Sequence, residues 1–583
     1  MKPLLKVNQL CIRFDPEDTR TAAVKNSSFT VNRGELVAIV GESGSGKSVT
    51  ALSILQLLPQ QAVVTGEVLF FKDDNEPVNL LQLSKKKLTH IRGNDIAMVF
   101  QEPMTSLNPV FTCGYQVMEA IQQHLQVNKK TARQKTIELF EQVKLPDAAN
   151  MLNRYPHEIS GGQKQRVMIA MAMSCKPALL IADEPTTALD VTVQKTILQL
   201  IISLQEQHNM GVLFITHDLG VVADIADRIL VMYNGEIVEQ GPVKEILHSP
   251  KHPYTKALLA CRPAGHKKGD RLPVVSDFIE LQQEKPRPQV TTRTTVNEQQ
   301  TTNNEQRSTV LEVKNLHVHF PTRKTLFGKP IQFLKAVDDV SFSVQRGDIV
   351  GLVGESGCGK TTLGRTVLQL IKPVSGKVIL NGKDLAHAQP AELRNTRKDM
   401  QVVFQDPFGS LNPRITIGEA ILEPLKVHAV LNNNVQRREK VMELLEKVSL
   451  NTGHFNRYPH QFSGGQRQRI CIARALALDP SFLIFDEMVS ALDVSIQAQV
   501  LNLLNDLKKE FGFTAIFISH DLAVVHYICN RIMVMNKGKI VEEGEAGQVY
   551  HHPKNEYTQK LVNAIPGKNA LMLPHHLFPG TPA

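Results

Sequence analysis

The sequence predicts an α/β protein built twice over, with two similar domains in tandem and each one a sheet wound with helices. The chain repeats itself: "NRYPHEISGGQKQRVMIAMAM" at 153–173 returns as "NRYPHQFSGGQRQRICIARAL" at 456–476, and "ADEPTTALDV" at 182–191 as "FDEMVSALDV" at 485–494. Self-similarity on this scale means a duplicated structural unit. Within each half, β-rich apolar runs alternate with helical periodicity, "ELVAIV" and "ALLIADE" in the first and "DIVGLV" and "SFLIFDE" in the second. These runs end at Gly-rich loops or paired carboxylates, so the chemistry sits at strand ends, where α/β sheets place their ligands.

Size and composition agree. A chain of 583 residues exceeds a single hydrophobic core, and 42% apolar with 21% charged residues is the balance of a folded, multidomain protein. The longest apolar runs, such as "ALLIA" at 178–182 and "IVGLVG" at 349–354, fall short of the roughly 18 residues that cross a bilayer. The opening "MKPLLKVNQLCIRFDPEDTR" turns polar too soon for a secretory signal, so a cytosolic location is expected. Seven scattered cysteines form no C-x-x-C pair or ligand cluster and read as reduced thiols. The net charge of +9 is diluted over the whole chain, and the lack of Trp argues against base stacking, so nucleic acid is not an expected partner.

Between the halves, "EKPRPQVTTRTTVNEQQTTNNEQRST" at 284–309 is too poor in large apolar residues to order itself. The expected organisation is a first domain over 1–263, a polar flexible linker over 264–308, a second domain over 309–567 and an irregular tail over 568–583.

Two segments fit the phosphate-loop pattern G-x-x-x-x-G-K-[ST]. They are Gly41, Glu42, Ser43, Gly44, Ser45, Gly46, Lys47 and Ser48, and then Gly354, Glu355, Ser356, Gly357, Cys358, Gly359, Lys360 and Thr361. Glycine lets the backbone wrap close to phosphate, so that amides and a helix N-terminus face the anion. The lysine adds positive charge and the hydroxyl can ligate Mg²⁺. A chance glycine-rich turn does not explain two matches, each directly after an apolar β-run.

With these loops stand "SGGQ" (Ser160, Gly161, Gly162, Gln163 and Ser463, Gly464, Gly465, Gln466) and the carboxylate pairs Asp183/Glu184 and Asp486/Glu487, and the interval from "SGGQ" to the carboxylates is the same in the two halves, whereas the stretch after the phosphate loop is longer in the first. Together they make each half closely resemble the nucleotide-binding domain of ATP-binding cassette (ABC) transporters. The resemblance implies two P-loop NTPase domains, each a RecA-like core with an antiparallel β subdomain and a helical subdomain. It implies ATP and Mg²⁺ as cofactors, with Asp183 and Asp486 holding the metal, and Glu184 and Glu487 acting as general base or orienting the attacking water. It assigns Gln101 and Gln405 to a loop that senses Mg²⁺, water and the membrane partner, and His217 and His520 to the γ-phosphate. Asp190 and Asp493 fall in the loop that crosses to the other domain. Phe14 and Phe320 fit the aromatic on which adenine stacks, although a Phe on a strand is also ordinary core packing.

In the resembling family two domains face head to tail, so Lys47 is expected to share a site with Ser463, and Lys360 with Ser160. Both halves keep every catalytic residue; Met488 in place of a common proline and Lys164 in place of a common arginine are mild departures. "QEPMTSLNPVFT", "QDPFGSLNPRIT", "HPYTKALLA" and the degraded "NEYTQKLVNA" resemble the branch that imports dipeptides, oligopeptides, glutathione and nickel. The expected role is an ATPase that energises a peptide or glutathione importer, with a nickel importer as alternative. The implied partners are two separate transmembrane permease subunits and, through them, a substrate-binding protein, which places the chain on the cytoplasmic face of the inner membrane. Cys261 stands alone after "HPYT", so no iron–sulfur cluster is expected there. A soluble twin-cassette translation factor is the rival reading, opposed by the Thr/Gln/Asn tether and the importer-like segments.

Overall fold

The computed structural model describes residues 2–14, 22–72, 76–187, 189–279, 308–324 and 330–568. The chain forms two compact units: one holds the residues up to Ala260 together with those from Pro566 on, the other Cys261–Ile565.

In the first unit a six-stranded sheet runs in the order Glu236–Pro242, Arg228–Tyr233, Leu36–Val40, Gly211–Thr216, Leu179–Asp183, Ile96–Val99. All neighbours are parallel except the first pair. The strands Leu36–Val40, Leu179–Asp183 and Gly211–Thr216 are buried along their whole length, because a parallel sheet is covered on both faces and so reads as a continuous apolar run. Alternate residues serve different layers. Val37, Ile39, Ile181 and Leu213 pack toward a four-stranded antiparallel sheet carrying Leu5, Val7 and Leu10, whereas Ala182, Val212 and Phe214 pack toward helices carrying Val117, Ile121 and Phe140. That antiparallel sheet runs Ala22–Asn32, Pro3–Arg13, Val63–Phe70, Val78–Asn79.

The second unit repeats the plan. Its six strands run Met400–Val403, Phe482–Asp486, Thr514–Ile518, Ile349–Val353, Arg531–Asn536, Lys539–Glu545, beside a four-stranded antiparallel sheet built on Thr309–Lys324 and Pro330–Gln345. In both units the strand leading into the phosphate loop lies inside the sheet, flanked on both sides by parallel partners.

The linker differs from expectation at its start. Residues 264–279 are ordered on the second unit. Leu272 is fully buried, its N–H donates to Asn502 Oδ1 at 2.9 Å and its carbonyl accepts from Asn502 Nδ2 at 2.8 Å. Tyr527 OH donates to Asp270 O at 2.6 Å, and Lys268 Nζ donates to Cys529 O at 2.9 Å. A short helix, Val275–Ile279, ends the segment with Phe278 buried. Two apolar anchors and side-chain bonds to the backbone hold a stretch whose composition reads as polar. The Thr/Gln/Asn stretch 280–307 and the tail beyond Lys568 lie outside the described residues. Gly567 N–H, in the first unit, donates to Asp224 Oδ2 at 3.0 Å.

Candidate active site

Each phosphate loop springs from a buried strand and ends at a helix, Lys47–Ile54 or Lys360–Val367. Glycine is required at two points of the turn. A Cβ on Gly41 would lie 2.2 Å from Met232 O, and one on Gly354 2.2 Å from Met535 O. Gly46 and Gly359 cap their helices at φ 104° and 112°, in the left-handed region. Lys47 Nζ folds back to donate to Gly41 O and Glu42 O, both at 2.8 Å, and Lys360 Nζ does the same to Gly354 O and Glu355 O at 2.8 and 2.9 Å.

The second strand brings in the carboxylates. Ser48 Oγ donates to Asp183 Oδ1 at 3.0 Å, and Thr361 Oγ1 to Asp486 Oδ1 at 3.2 Å. The next residue is the glutamate, and the third strand and the glutamine loop close on it. Gln101 Nε2 donates to Glu184 Oε2 at 3.0 Å, and His217 Nδ1 lies 3.4 Å from Glu184 Oε1. In the second unit Gln405 Nε2 donates to Glu487 Oε2 at 3.0 Å, His520 Nδ1 lies 3.7 Å from that oxygen, and Lys360 Nζ lies 3.9 Å from Glu487 Oε1.

The neighbouring acids are driven apart. Burial pushes the Asp183 carboxyl up to about 6, against the Ser48 hydrogen bond. Burial also raises Glu184, but the His217 hydrogen bond and charge, the Thr187 hydroxyl and Lys47 outweigh it and hold the carboxyl at about 2. Asp486 is likewise raised by burial, and Glu487 is lowered, with His520 and Lys360 overcoming burial. Burial thus disfavours the charge on the aspartate of each pair, while the glutamate stays ionised and is gripped by polar donors.

The "SGGQ" segments open the helices Gly161–Ala172 and Gly464–Leu476. Ser160 Oγ accepts from Gln163 N–H at 3.3 Å while Gln163 Oε1 accepts from Ser160 N–H at 3.0 Å; Ser463 and Gln466 repeat the exchange at 3.4 and 3.1 Å. This is a capping box, which fixes the helix start. Its polar groups bond to one another and not to the carboxylate cluster. Asp190 caps the next helix by accepting from Val193 N–H at 2.9 Å, whereas Asp493, at the same place in the second unit, makes no side-chain cap bond. Phe14 and Phe320 are 41% and 38% exposed, so each ring keeps part of its surface open to solvent.

Three features escaped the sequence reading. The Thr187 hydroxyl donates to Glu184 Oε2 at 2.8 Å, while its counterpart Ser490 donates instead to the Glu487 carbonyl at 2.8 Å. Tyr254 and Tyr557 reach the phosphate loops; only their recurrence as "YT" in both halves signals them. His317, His319 and Asp338 bring metal-capable atoms within 4.8 Å of one another. Asp338 already faces Lys335 Nζ at 3.5 Å and Lys539 Nζ at 3.6 Å, the setting of an ion-pair network.

The ABC transporter family model matches residues 24–187 and 337–490, and the model of the oligopeptide/dipeptide transporter C-terminal region matches 238–285 and 541–581. The chain is 50% identical over 567 residues to the glutathione import ATP-binding protein GsiA of Escherichia coli (strain K12), covering 97% of this chain and 89% of that one. It is 48% identical over 568 residues to the protein of the same name from Pectobacterium atrosepticum, covering 97% and 90%. Among solved structures, the dimeric post-hydrolysis state of the ATP-binding cassette MJ0796 bound to ADP and Pi aligns at 28% identity over 40% of this chain and 98% of that one, with a TM-score of 0.37. Motifs, site geometry and whole-length identity agree: the chain belongs to the ABC transporter family, as an ATPase with two cassettes in tandem, each followed by an oligopeptide/dipeptide transporter C-terminal region.

Proposed function

We propose that the chain energises import of a small peptide of the glutathione class, using ATP to pair its two cassettes and hydrolysis to release them. What carries the substrate class is half identity to glutathione import ATP-binding proteins across nearly the whole chain, with the peptide-transporter C-terminal region in both halves. Among the described residues no helix is long and apolar enough to cross a membrane. The path for substrate then belongs to separate transmembrane permease subunits fed by a substrate-binding protein, with this chain docked on them at the cytoplasmic face of the inner membrane.

Within each cassette the loop amides and Lys47 or Lys360 hold the nucleotide phosphates, and Phe14 or Phe320 offers a face to adenine. A hydroxyl beside a buried carboxylate is a hard-oxygen donor set suited to Mg²⁺. Ser48 with Asp183, and Thr361 with Asp486, would hold that ion next to Gln101 and Gln405, where its charge stabilises the phosphoryl oxygens. Glu184 and Glu487, ionised at neutral pH, orient the attacking water and accept its proton, with His217 and His520 at the same carboxylates. The site in each cassette is completed by Ser463 or Ser160 of the other cassette's signature, so that ATP favours the paired state and loss of its γ-phosphate releases it.

Two measurements test this. Glu184→Gln with Glu487→Gln should lower ATP turnover roughly 100-fold or more while ATP binding persists; normal hydrolysis in the double variant refutes the assigned role. In vesicles carrying the permease and binding protein, labelled glutathione should accumulate with ATP. Uptake of nickel or longer peptides in its place overturns the substrate assignment.

A further inference from the structure

We propose that Tyr254 and Tyr557, on the helices of the C-terminal regions, are positioning residues that lock the first peptide plane of each phosphate loop and act through Lys47 and Lys360. The inference rests on the reading that these loops hold nucleotide phosphates.

The peptide unit joining Gly41 to Glu42 is held at both ends. Its carbonyl, Gly41 O, accepts from Lys47 Nζ at 2.8 Å, and its N–H, on Glu42, donates to Tyr254 OH at 2.9 Å. The second unit repeats this: Gly354 O accepts from Lys360 Nζ at 2.8 Å, and Glu355 N–H donates to Tyr557 OH at 3.0 Å. In a trans peptide the carbonyl and N–H point in opposite directions, so the tyrosine fixes the orientation of the very carbonyl on which the lysine rests.

Each tyrosine is in turn tied to the sheet. The carboxylate of Glu239 accepts from the N–H groups of Lys251 and His252 at 2.7 and 3.0 Å, and Glu542 accepts from those of Lys554 and Asn555 at 2.8 and 3.1 Å. The tyrosine N–H then donates to His252 Nδ1 at 3.2 Å, or to Asn555 Oδ1 at 2.9 Å. The change from "HPYT" to "NEYT" therefore preserves the anchor. Ring packing is not the shared feature. Tyr254 packs at a tilt of 32° against Tyr233, 4.2 Å between centroids, but the second unit has Asn536 at that position. The hydroxyl bond is common to both units.

When Lys47 leaves the Gly41 and Glu42 carbonyls to meet phosphate, the tyrosine keeps that peptide from turning. Without it, that peptide turns in the free loop, its carbonyl no longer holds the lysine beside the phosphate position, and placing the lysine again on binding is a cost that falls on affinity for phosphates and not on the chemical step.

The test uses the full chain with Tyr254→Phe and Tyr557→Phe, singly and together, since phenylalanine keeps the ring that fills the space. In the double variant KM for ATP and Kd for a fluorescent ADP analogue should rise roughly 5- to 30-fold, with kcat at saturating ATP within about twofold of the parent. Tyr527→Phe, which removes a buried phenol bonded to Asp270 O, should leave KM unchanged and serves as the control for a merely structural loss. With Lys47→Ala and Lys360→Ala already in place, the tyrosine changes should weaken the ADP analogue no further. An unchanged KM and Kd, a fall in kcat at constant KM, or an undiminished loss in the lysine background overturns the proposal. Parent-like ADP affinity in the lysine variants would instead overturn the phosphate-loop reading beneath it.

Discussion

Glu184 and Glu487 occupy left-handed backbone, at φ 46° and 47°, a conformation that costs a residue with a Cβ on the order of 1 kcal/mol. The sheet holds them there: Glu184 N–H donates to Ile215 O at 2.9 Å and Glu487 N–H to Ile518 O at 3.0 Å. The strain turns the carboxylate toward the glutamine and histidine that grip it. Because Glu184 is held near 2 against an ordinary 4.5, its ionised form favours the fold, and a depressed carboxyl contributes stability above its unfolded pKa that is lost as pH falls through the folded one. Unfolding free energies of the wild type and Glu184→Gln should therefore differ by a constant amount above about pH 7, where Asp183, at about 6 and raised by burial and in part by the Glu184 charge, is ionised as well. The difference should shrink on acidification from 4.5 toward 2, and a gap that widens contradicts the assignment. The sequence showed the Asp–Glu pairs as a repeat at equal distance from "SGGQ", and their histidines through the family resemblance. It did not show that Thr187 adds a donor to Glu184 which Ser490 withholds from Glu487, because the choice between carboxylate and carbonyl is made by a side-chain rotamer.

At the level of elements, the signature helix separates two glycines that look equivalent in "SGGQ". A Cβ on Gly162 would meet Val193 Cγ1 at 2.6 Å and one on Gly465 would meet Ile496 Cγ2 at 2.4 Å, whereas a Cβ on Gly464 meets nothing within 4 Å. The second glycine serves packing against the following helix; the first has room for a Cβ, with open space at Gly464 and an ordinary 3.7 Å contact with Leu189 Cδ2 at Gly161. Gly465→Ala should thus destabilise by about 1–3 kcal/mol in denaturant unfolding. Gly464→Ala should leave stability within about 0.5 kcal/mol while slowing ATP hydrolysis; equal stability losses would reject the distinction. The parallel strands were readable because burial on both faces makes them unbroken apolar runs, and the helix start because its capping box is written in the local sequence. The docking of 264–279 was not readable, since it depends on the widely spaced Leu272 and Phe278 and on Asn502, 230 residues away from Leu272. Nor was the bond from Tyr254 to Glu42, which closes a separation of 212 residues.

Across the whole molecule, duplication is the feature most plainly legible, since motif order repeats, the intervals from "SGGQ" through the histidine are equal, and the two units share their sheets strand for strand. That likeness fixes what each cassette contains; what it leaves to experiment is the proposal that each nucleotide site draws its signature from the other cassette. Counting ADP trapped by vanadate per chain decides it directly. Lys47→Ala with Ser463→Arg places both lesions in one proposed site and should leave one trapped nucleotide, held by Lys360 with Ser160. Lys47→Ala with Ser160→Arg strikes both sites and should leave none. The reverse pattern, with none trapped in the first variant and one in the second, would mean that each cassette completes its own site and would contradict the account.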